Sequence, residues 1–318
     1  MVNSSFPLIK LPIVALQAIY EVIHPAALYN LSKCSTIMRF SVKSLCQFVK
    51  NHYDIIVQLS PDSNVLFVTH GASVEEGIGI GIEKTSATRT EIVGINETIM
   101  AVRYLLDLFH PRDFRARMSV DLENDSSNAA FEWIVKNQKR FSSIVCFGGG
   151  PTDQERYQRC LTAFQKSPNV HVSAKVTDRF QLTQPVNTDS LSIGHSRWIT
   201  IDALRHFTCR VLFLLDHGFS NEVLNTFLRD MQSGIRVHPN IDTLLLRRND
   251  LAMDEILANL DENQIRVTRG LFRIFPGMDV FSVLNADGQP VVNCFETEFN
   301  NLQIICFEFP QSDWILAN

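Results

Sequence analysis

The sequence predicts an α+β protein with a small three-helix module at its N-terminus, an irregular array of strands and helices behind it, and antiparallel hairpins at the close. Three observations carry this. Apolar residues recur at three-and-four spacing between residues 12 and 50. Short apolar runs alternate with helical stretches from about residue 64. Asp287-Gly288 joins two apolar runs late in the chain, a strong hairpin signal.

The helical module comes first. Pro12 suits the first turn of a helix, where its missing N–H costs nothing. Ile13, Leu16, Ile19, Tyr20 and Ile23 then mark one face. His24-Pro25 ends this helix, because a residue before proline is pushed out of the helical region. Pro25 opens a second helix with Leu28 and Leu31 on its inner side. Cys34 follows, and a third helix carries Met38, Val42, Leu45 and Val49. Three short helices enclose little core, so the module gains from resting on a partner.

The array follows. Val65–Val68 reads as a strand, and Gly77-Ile78-Gly79-Ile80-Gly81 as a loop or loose strand. Helices are expected at Glu97–Phe109, Asn128–Lys139, Asp153–Phe164, Thr200–Phe207 and Ser220–Met231, the last capped by Ser220. Strands are expected at Ser143–Phe147, His171–Ala174, Val211–Leu215, Thr243–Arg247, Val280–Leu284 and Leu302–Phe309. Spacings of 20–50 residues per strand-helix unit suggest leucine-rich-repeat-like stacking. The consensus leucines and asparagine of that repeat are absent, and a closed α/β domain is the competing architecture.

Composition narrows the function. The chain has 318 residues, 45% hydrophobic and 20% charged, with a formal net charge of −5. This suits an ordinary globular protein and gives no strong field for nucleic acid or an anionic membrane. Residues 1–50 hold five basic side chains (Lys10, Lys33, Arg39, Lys43, Lys50) against one acid, Glu21. The asymmetry reads either as two ends meeting different partners or as the solvated faces of a few helices. Seven scattered cysteines without a CxxC pair argue against a disulfide framework and a zinc knuckle. A reducing, intracellular setting, cytoplasmic or nuclear, is expected. Neither a signal peptide nor a membrane span is expected.

Catalytic motifs are wanting. Gly148-Gly149-Gly150-Pro151-Thr152 sits between a strand and a helix, where a phosphate loop would lie, but the phosphate-reaching lysine is missing. The nine histidines are scattered; His195 lies near Asp202 and His217 next to Asp216. Cys146 at a strand end reads as a buried core thiol, with a nucleophile as the alternative. Trp133, Trp198 and Trp314 read as core residues or as anchors at a partner surface. No catalytic residue, cofactor or metal ligand is expected.

Phe6-Pro7-Leu8-Ile9-Lys10-Leu11-Pro12, continuing to Leu16, Pro25, Leu28, Leu31 and Cys34, resembles the F-box. A Leu-Pro pair opens its first helix, a proline opens the second, and leucines and a cysteine follow. The tryptophan common late in F-boxes is missing from Thr36–Phe40. Trp133-Ile134 with Asn137-Gln138-Lys139, Trp198–Leu204 with Cys209, Ser220–Leu228, Asp279-Val280 and Asp287-Gly288 resemble the type 2 F-box-associated domain of the nematode-expanded F-box family. Where that family has an arginine before the tail Asp-Gly, this chain has Asn285-Ala286. The resemblance implies an F-box at 6–50 and a substrate-recognition domain at 60–318. It further implies a non-enzymatic substrate receptor of a ubiquitin ligase, bound to a Skp-type adaptor and, through it, to cullin and RING subunits. The protein target is left open; the alternatives are an F-box protein acting outside a ligase and an enzyme using the 146–153 glycine turn. Leu11, Pro12, Leu16, Ile19, Leu28 and Leu31 are the candidates for the adaptor face and the F-box core between them.

Overall fold

The computed structural model describes residues 11–23, 25–48, 53–59, 64–70, 78–81, 83–86, 89–92, 95–111, 113–120, 125–148, 150–234, 240–247, 251–269, 279–299 and 302–309. Expectations that involve Phe6–Lys10, His24, Val49, Lys50, Gly77, Gly149 or Trp314 lie outside the described residues. The chain divides into two compact units, Met1–Ile144 and Val145–Asn318. The described residues hold eight α-helices and a large mixed sheet. None of those helices is long and apolar enough to cross a membrane.

In the first unit, helix α1 spans Ile13–Val22. The Pro12 carbonyl accepts from the Ala15 and Leu16 N–H groups at 2.9 and 3.0 Å, and the helix stops where Ile23 turns extended. Helix α2 spans Pro25–Cys34 and α3 spans Thr36–Phe48. The Ser35 hydroxyl caps α3 by accepting from the Met38 N–H at 3.1 Å. Strands β1 (Tyr53–Leu59), β2 (Asn64–His70) and β3 (Ile78–Gly81) follow, then a separate hairpin of β4 (Glu83–Ser86) and β5 (Arg89–Ile92). Helix α4 (Ile95–Phe109) buries Val102, Leu105 and Phe109 at helical spacing and ends at His110, whose φ of 43° leaves the helical region. Strand β6 (Asp113–Ser119) pairs in parallel with β1, which pairs antiparallel with β2, and β2 with β3. Helix α5 (Asp125–Asn137) runs into a 3-10 turn, Gln138–Arg140.

Strand β7 (Ser143–Phe147) contains the boundary. The second unit continues with α6 (Gln154–Thr162), β8 (Asn169–Val172), β9 (Val186–Asn187), β10 (Ser190–His195), β11 (Phe207–Asp216), α7 (Asn221–Gln232), β12 (Ile241–Arg247) and α8 (Met253–Leu257). It closes with β13 (Ile265–Arg269), β14 (Asp279–Leu284), β15 (Pro290–Phe299) and β16 (Leu302–Glu308). Strands β8, β10, β11 and β12 lie side by side in parallel. Strand β16 inserts antiparallel between β12 and β15, and β14 and β13 extend the sheet outward. Ser220 caps α7 by accepting from Val223 N–H, and Asp153 caps α6 by accepting from Arg156 N–H.

Several expected elements shift. The helix expected at 200–207 is a 3-10 turn, Asp202–His206, because Phe207 already belongs to β11. Strand β11 begins four residues earlier than the apolar run at 211–215. Its first half alternates buried Phe207 and Cys209 with exposed Thr208 and Arg210, a half-covered strand. Strand β8 ends at Val172, two residues before the expected Ala174. Strands β1, β6 and β10 arise where no strand is expected.

On the parallel strands, Leu191, Ile193, Leu212, Leu214, Leu244 and Leu246 are fully buried and lie on one face. Each contributes roughly 1.5–3 kcal/mol relative to exposure. Beside them, Trp198 packs edge-on against Tyr157 and Phe180, with ring centroids 5.9 and 4.7 Å away. Its indole N–H donates to the Tyr157 hydroxyl at 3.3 Å, so the polar ends of both buried rings are satisfied. Trp198 is therefore a core residue.

Candidate interaction surfaces

The first surface lies on α1 and α3, which pack against each other. Leu16 and Leu28 are buried, the latter completely. Leu11, Ile19 and Leu31 are half-buried, and Pro12 is exposed. The structure therefore places Leu16 and Leu28 in the interior of the module and Pro12 on its outside.

Four apolar side chains are far more open, and of these the spacing marks only Ile13, as part of the inner face of the first helix. Ile13 and Val14 on α1 are 63% and 71% exposed, and Ile37 and Phe40 on α3 are 64% and 65% exposed. Helix α3 has two apolar stripes. Val42, Leu45 and Cys46 face inward, while Ile37 and Phe40, one turn apart, lie on another side. Apolar residues off the phase of the buried stripe were the available signal. Exposed apolar groups concentrated on neighbouring helices mark a docking surface.

Helices α2 and α3 are held on α4 by polar contacts. The Tyr104 hydroxyl and the Ser32 hydroxyl share a hydrogen bond of 2.8 Å, and Tyr29 meets Tyr104 edge-on at 5.7 Å. Lys33 lies over the Tyr29 ring and Arg39 over that of Tyr104. Asp107 receives both Arg39 and Lys43, which hold its carboxyl below the usual range, Lys43 contributing most. Gln47 and His110 share a 2.9 Å hydrogen bond. Two of the N-terminal cations thus share one carboxylate within their own unit.

The second surface is a sheet face of the other unit. Cross-strand partners point to the same side, so the registers define rows. One row reads Arg266, Ser282, Asn293, Glu308, Thr243, Val211, Ser190 and Asn169; its two ends are exposed and every other member is half-exposed. The next row reads Cys306, Leu245, Phe213, Ser192 and His171; Cys306 is buried and the others are half-exposed. Cys306 belongs to a small apolar cluster with Val280 and Phe295, and Leu245 packs against it. The opposite face carries the fully buried leucines, so this face is the open side of the parallel strands.

The groups considered for chemistry are placed differently. Cys146 is fully buried, and its hydrogen bond with Cys160, then burial, raises its thiol well above the ordinary range. A thiol in that state is a poor nucleophile. Asp153 is an exposed helix cap, and Gly150 has open space around it. At the ends of β10 and β11, His195 lies 3.5 Å from Asp216, which also pairs with Arg197 at 2.9 Å. His217 is buried instead. Its Nε2 meets the Arg247 carbonyl at 2.9 Å, and its Nδ1 accepts from the Phe219 N–H at 3.3 Å. These bonds make it a structural clasp in its neutral form.

Helix α7 positions the segment around α8. The Asn225 amide donates to the carbonyls of Ile256 and Ala258 at 2.8 and 2.6 Å. One turn earlier, Asn221 accepts from the Ala252 N–H at 2.9 Å and donates to Glu255 at 2.6 Å. Helix α7 and the segment from Ala252 to Ala258 are thereby tied together.

No curated protein and no solved structure matches the chain. Residues 179–257, the strip that runs from just before β9 through β10, β11, α7 and β12 to α8, match the family described as F-box associated.

Proposed function

We propose that the chain is an F-box protein that works as a non-enzymatic substrate receptor of a ubiquitin ligase. The observation that carries the proposal is the match of residues 179–257 to the F-box associated family, taken with the F-box-like order of prolines and leucines at 6–46. In this reading residues 6–50 are the F-box. Ile13, Val14, Ile37 and Phe40 form the apolar face that meets a Skp-type adaptor, with Leu11 and Pro12 at its border and Leu16 and Leu28 as its internal support. A few desolvated apolar anchors of this kind dominate the energy of an interface. Cullin and RING subunits join through the adaptor. The parallel strands β8, β10, β11 and β12 form a leucine-rich-repeat-like array whose open face holds the protein target. The buried, protonated state of Cys146 supports a receptor over an enzyme.

Titration calorimetry of the purified protein with a Skp-type adaptor tests this. Saturable one-to-one binding is expected, abolished by Ile37→Asp with Phe40→Asp and by Leu11→Asp with Pro12→Ala. Absence of binding by the folded wild-type protein overturns the proposal.

A further inference from the structure

Glu308 is the acidic side chain of the half-exposed polar row on the open sheet face, between Asn293 on one side and Thr243 on the other. Asn293 is already engaged with the Ser282 hydroxyl at 2.8 Å. Among the described residues no cation pairs with the Glu308 carboxylate, and partial burial raises its carboxyl above the ordinary range. A carboxylate drawn part of the way out of water without a counter-charge is a standing cost, removed when a cation completes the pair. Apolar surface lies next to it. Val211 sits in the same row, and Leu245 and Phe213 in the adjoining one, all half-exposed. Hydroxyls of Thr243 and Ser190 line the row and offer hydrogen bonds to a backbone laid across it.

We propose that this face takes an extended, basic segment of a protein, with a Lys or Arg on Glu308 and a neighbouring apolar side chain on Leu245 and Phe213. The proposal rests on the receptor reading and names the class of target: a chain recognised through a cation next to an apolar residue. The charge supplies the selection, since an acidic segment would set a second anion against a carboxylate already short of solvation.

The test uses the full chain and a displayed library of random nine-residue peptides. Peptides retained by the wild-type protein are expected to be enriched in Lys or Arg beside an apolar residue. Glu308→Gln keeps the shape and removes the charge, and its retained pool should lose the basic enrichment. Individual basic peptides should bind this variant at least tenfold more weakly. Thr243→Lys sets an internal cation opposite Glu308 and should act the same way, which guards against an effect peculiar to one substitution. No retained peptides, a pool without basic bias, or a basic bias unchanged in both variants overturns the proposal. Adaptor titration of the same proteins separates the two ideas. Basic selection lost in Glu308→Gln without adaptor binding supports this site and removes the ligase reading. Adaptor binding without basic selection does the reverse.

Discussion

The guanidinium of Arg39 on α3 meets the carboxylate of Asp107 on α4 at 2.8 Å, and Lys43 joins the same carboxylate from the next turn of α3. The pair is more than a third exposed, so solvent screens it, and such contacts are worth about 0.2–1 kcal/mol. Asp107→Asn is therefore expected to lower stability by about 0.5–1 kcal/mol at low salt and by less in 1 M salt. Denaturant melts at the two ionic strengths measure this. The folded carboxyl lies below its unfolded value, so its contribution is present above the ordinary carboxylate range and fades as pH falls below it. Equal stability of wild type and variant at both salts would show that the apolar contacts alone hold α3 on α4.

Interior and exterior apolar residues of the N-terminal helices should behave oppositely. Leu28 is fully buried, and Leu28→Ala should cost about 2–5 kcal/mol of stability. Phe40 is 65% exposed, and Phe40→Ser should leave the melting curve within about 0.5 kcal/mol of wild type. Adaptor titration should show the converse for Phe40, with binding weakened at unchanged fold.

Removing the Asn225 amide takes its side-chain donor from the buried Ile256 carbonyl and from the part-buried Ala258 carbonyl. Asn225→Leu is expected to destabilise by about 1–3 kcal/mol. Hydrogen exchange should locate the damage in residues 251–258, with faster exchange there than in β11.

Two histidines set an acid limit. Burial lowers the pKa of His171 and of His217, in the latter against opposing effects from the Arg247 carbonyl and Asp216. The unfolded chain therefore takes up protons first as pH falls. Stability is complete above the ordinary histidine value, about 6.5, and declines below it toward the lower folded values. Chemical denaturation at pH 7.5, 6.0 and 5.0 should show the decline. His217→Gln, which keeps a side-chain donor for the Arg247 carbonyl, should flatten it. An unchanged slope in the variant would assign the acid sensitivity elsewhere.

Much of this architecture was legible in the chain. The cap at Ser220, the prolines at 12 and 25, and the Asp287-Gly288 turn act locally, and each lies where its chemistry predicted; Asp153, expected inside its helix, caps it instead. Gly288 adopts a φ of +74° in that turn, a conformation few other residues tolerate. Strand β10 was not legible, because Leu191 and Ile193 are its only large apolar residues. Its strand character comes from pairing with β8 and β11, which no local pattern encodes. The exposed apolar side chains of α1 and α3 were half legible. Apolar periodicity located the N-terminal helices, but periodicity marks whichever stripe is most regular; on α3 that stripe packs inward at Val42 and Leu45, while on α1 it includes both buried Leu16 and exposed Ile13. Ile37 and Phe40 became candidates only when their exposure was known. The row through Glu308 joins residues from 169 to 308, far apart in the chain, and only the strand order assembles it.

The insertion of β16 between β12 and β15 has a consequence during synthesis. A ribosome completes β12 at Arg247 well before it reaches Leu302, and until then the second edge of β12 lacks its partner. The parallel strands thus emerge with a bare row of backbone donors and acceptors, the kind of edge that recruits other chains. Their sheet cannot be completed in step with translation, so a chain that stalls between Arg247 and Leu302 displays an aggregation-prone edge that the finished protein hides.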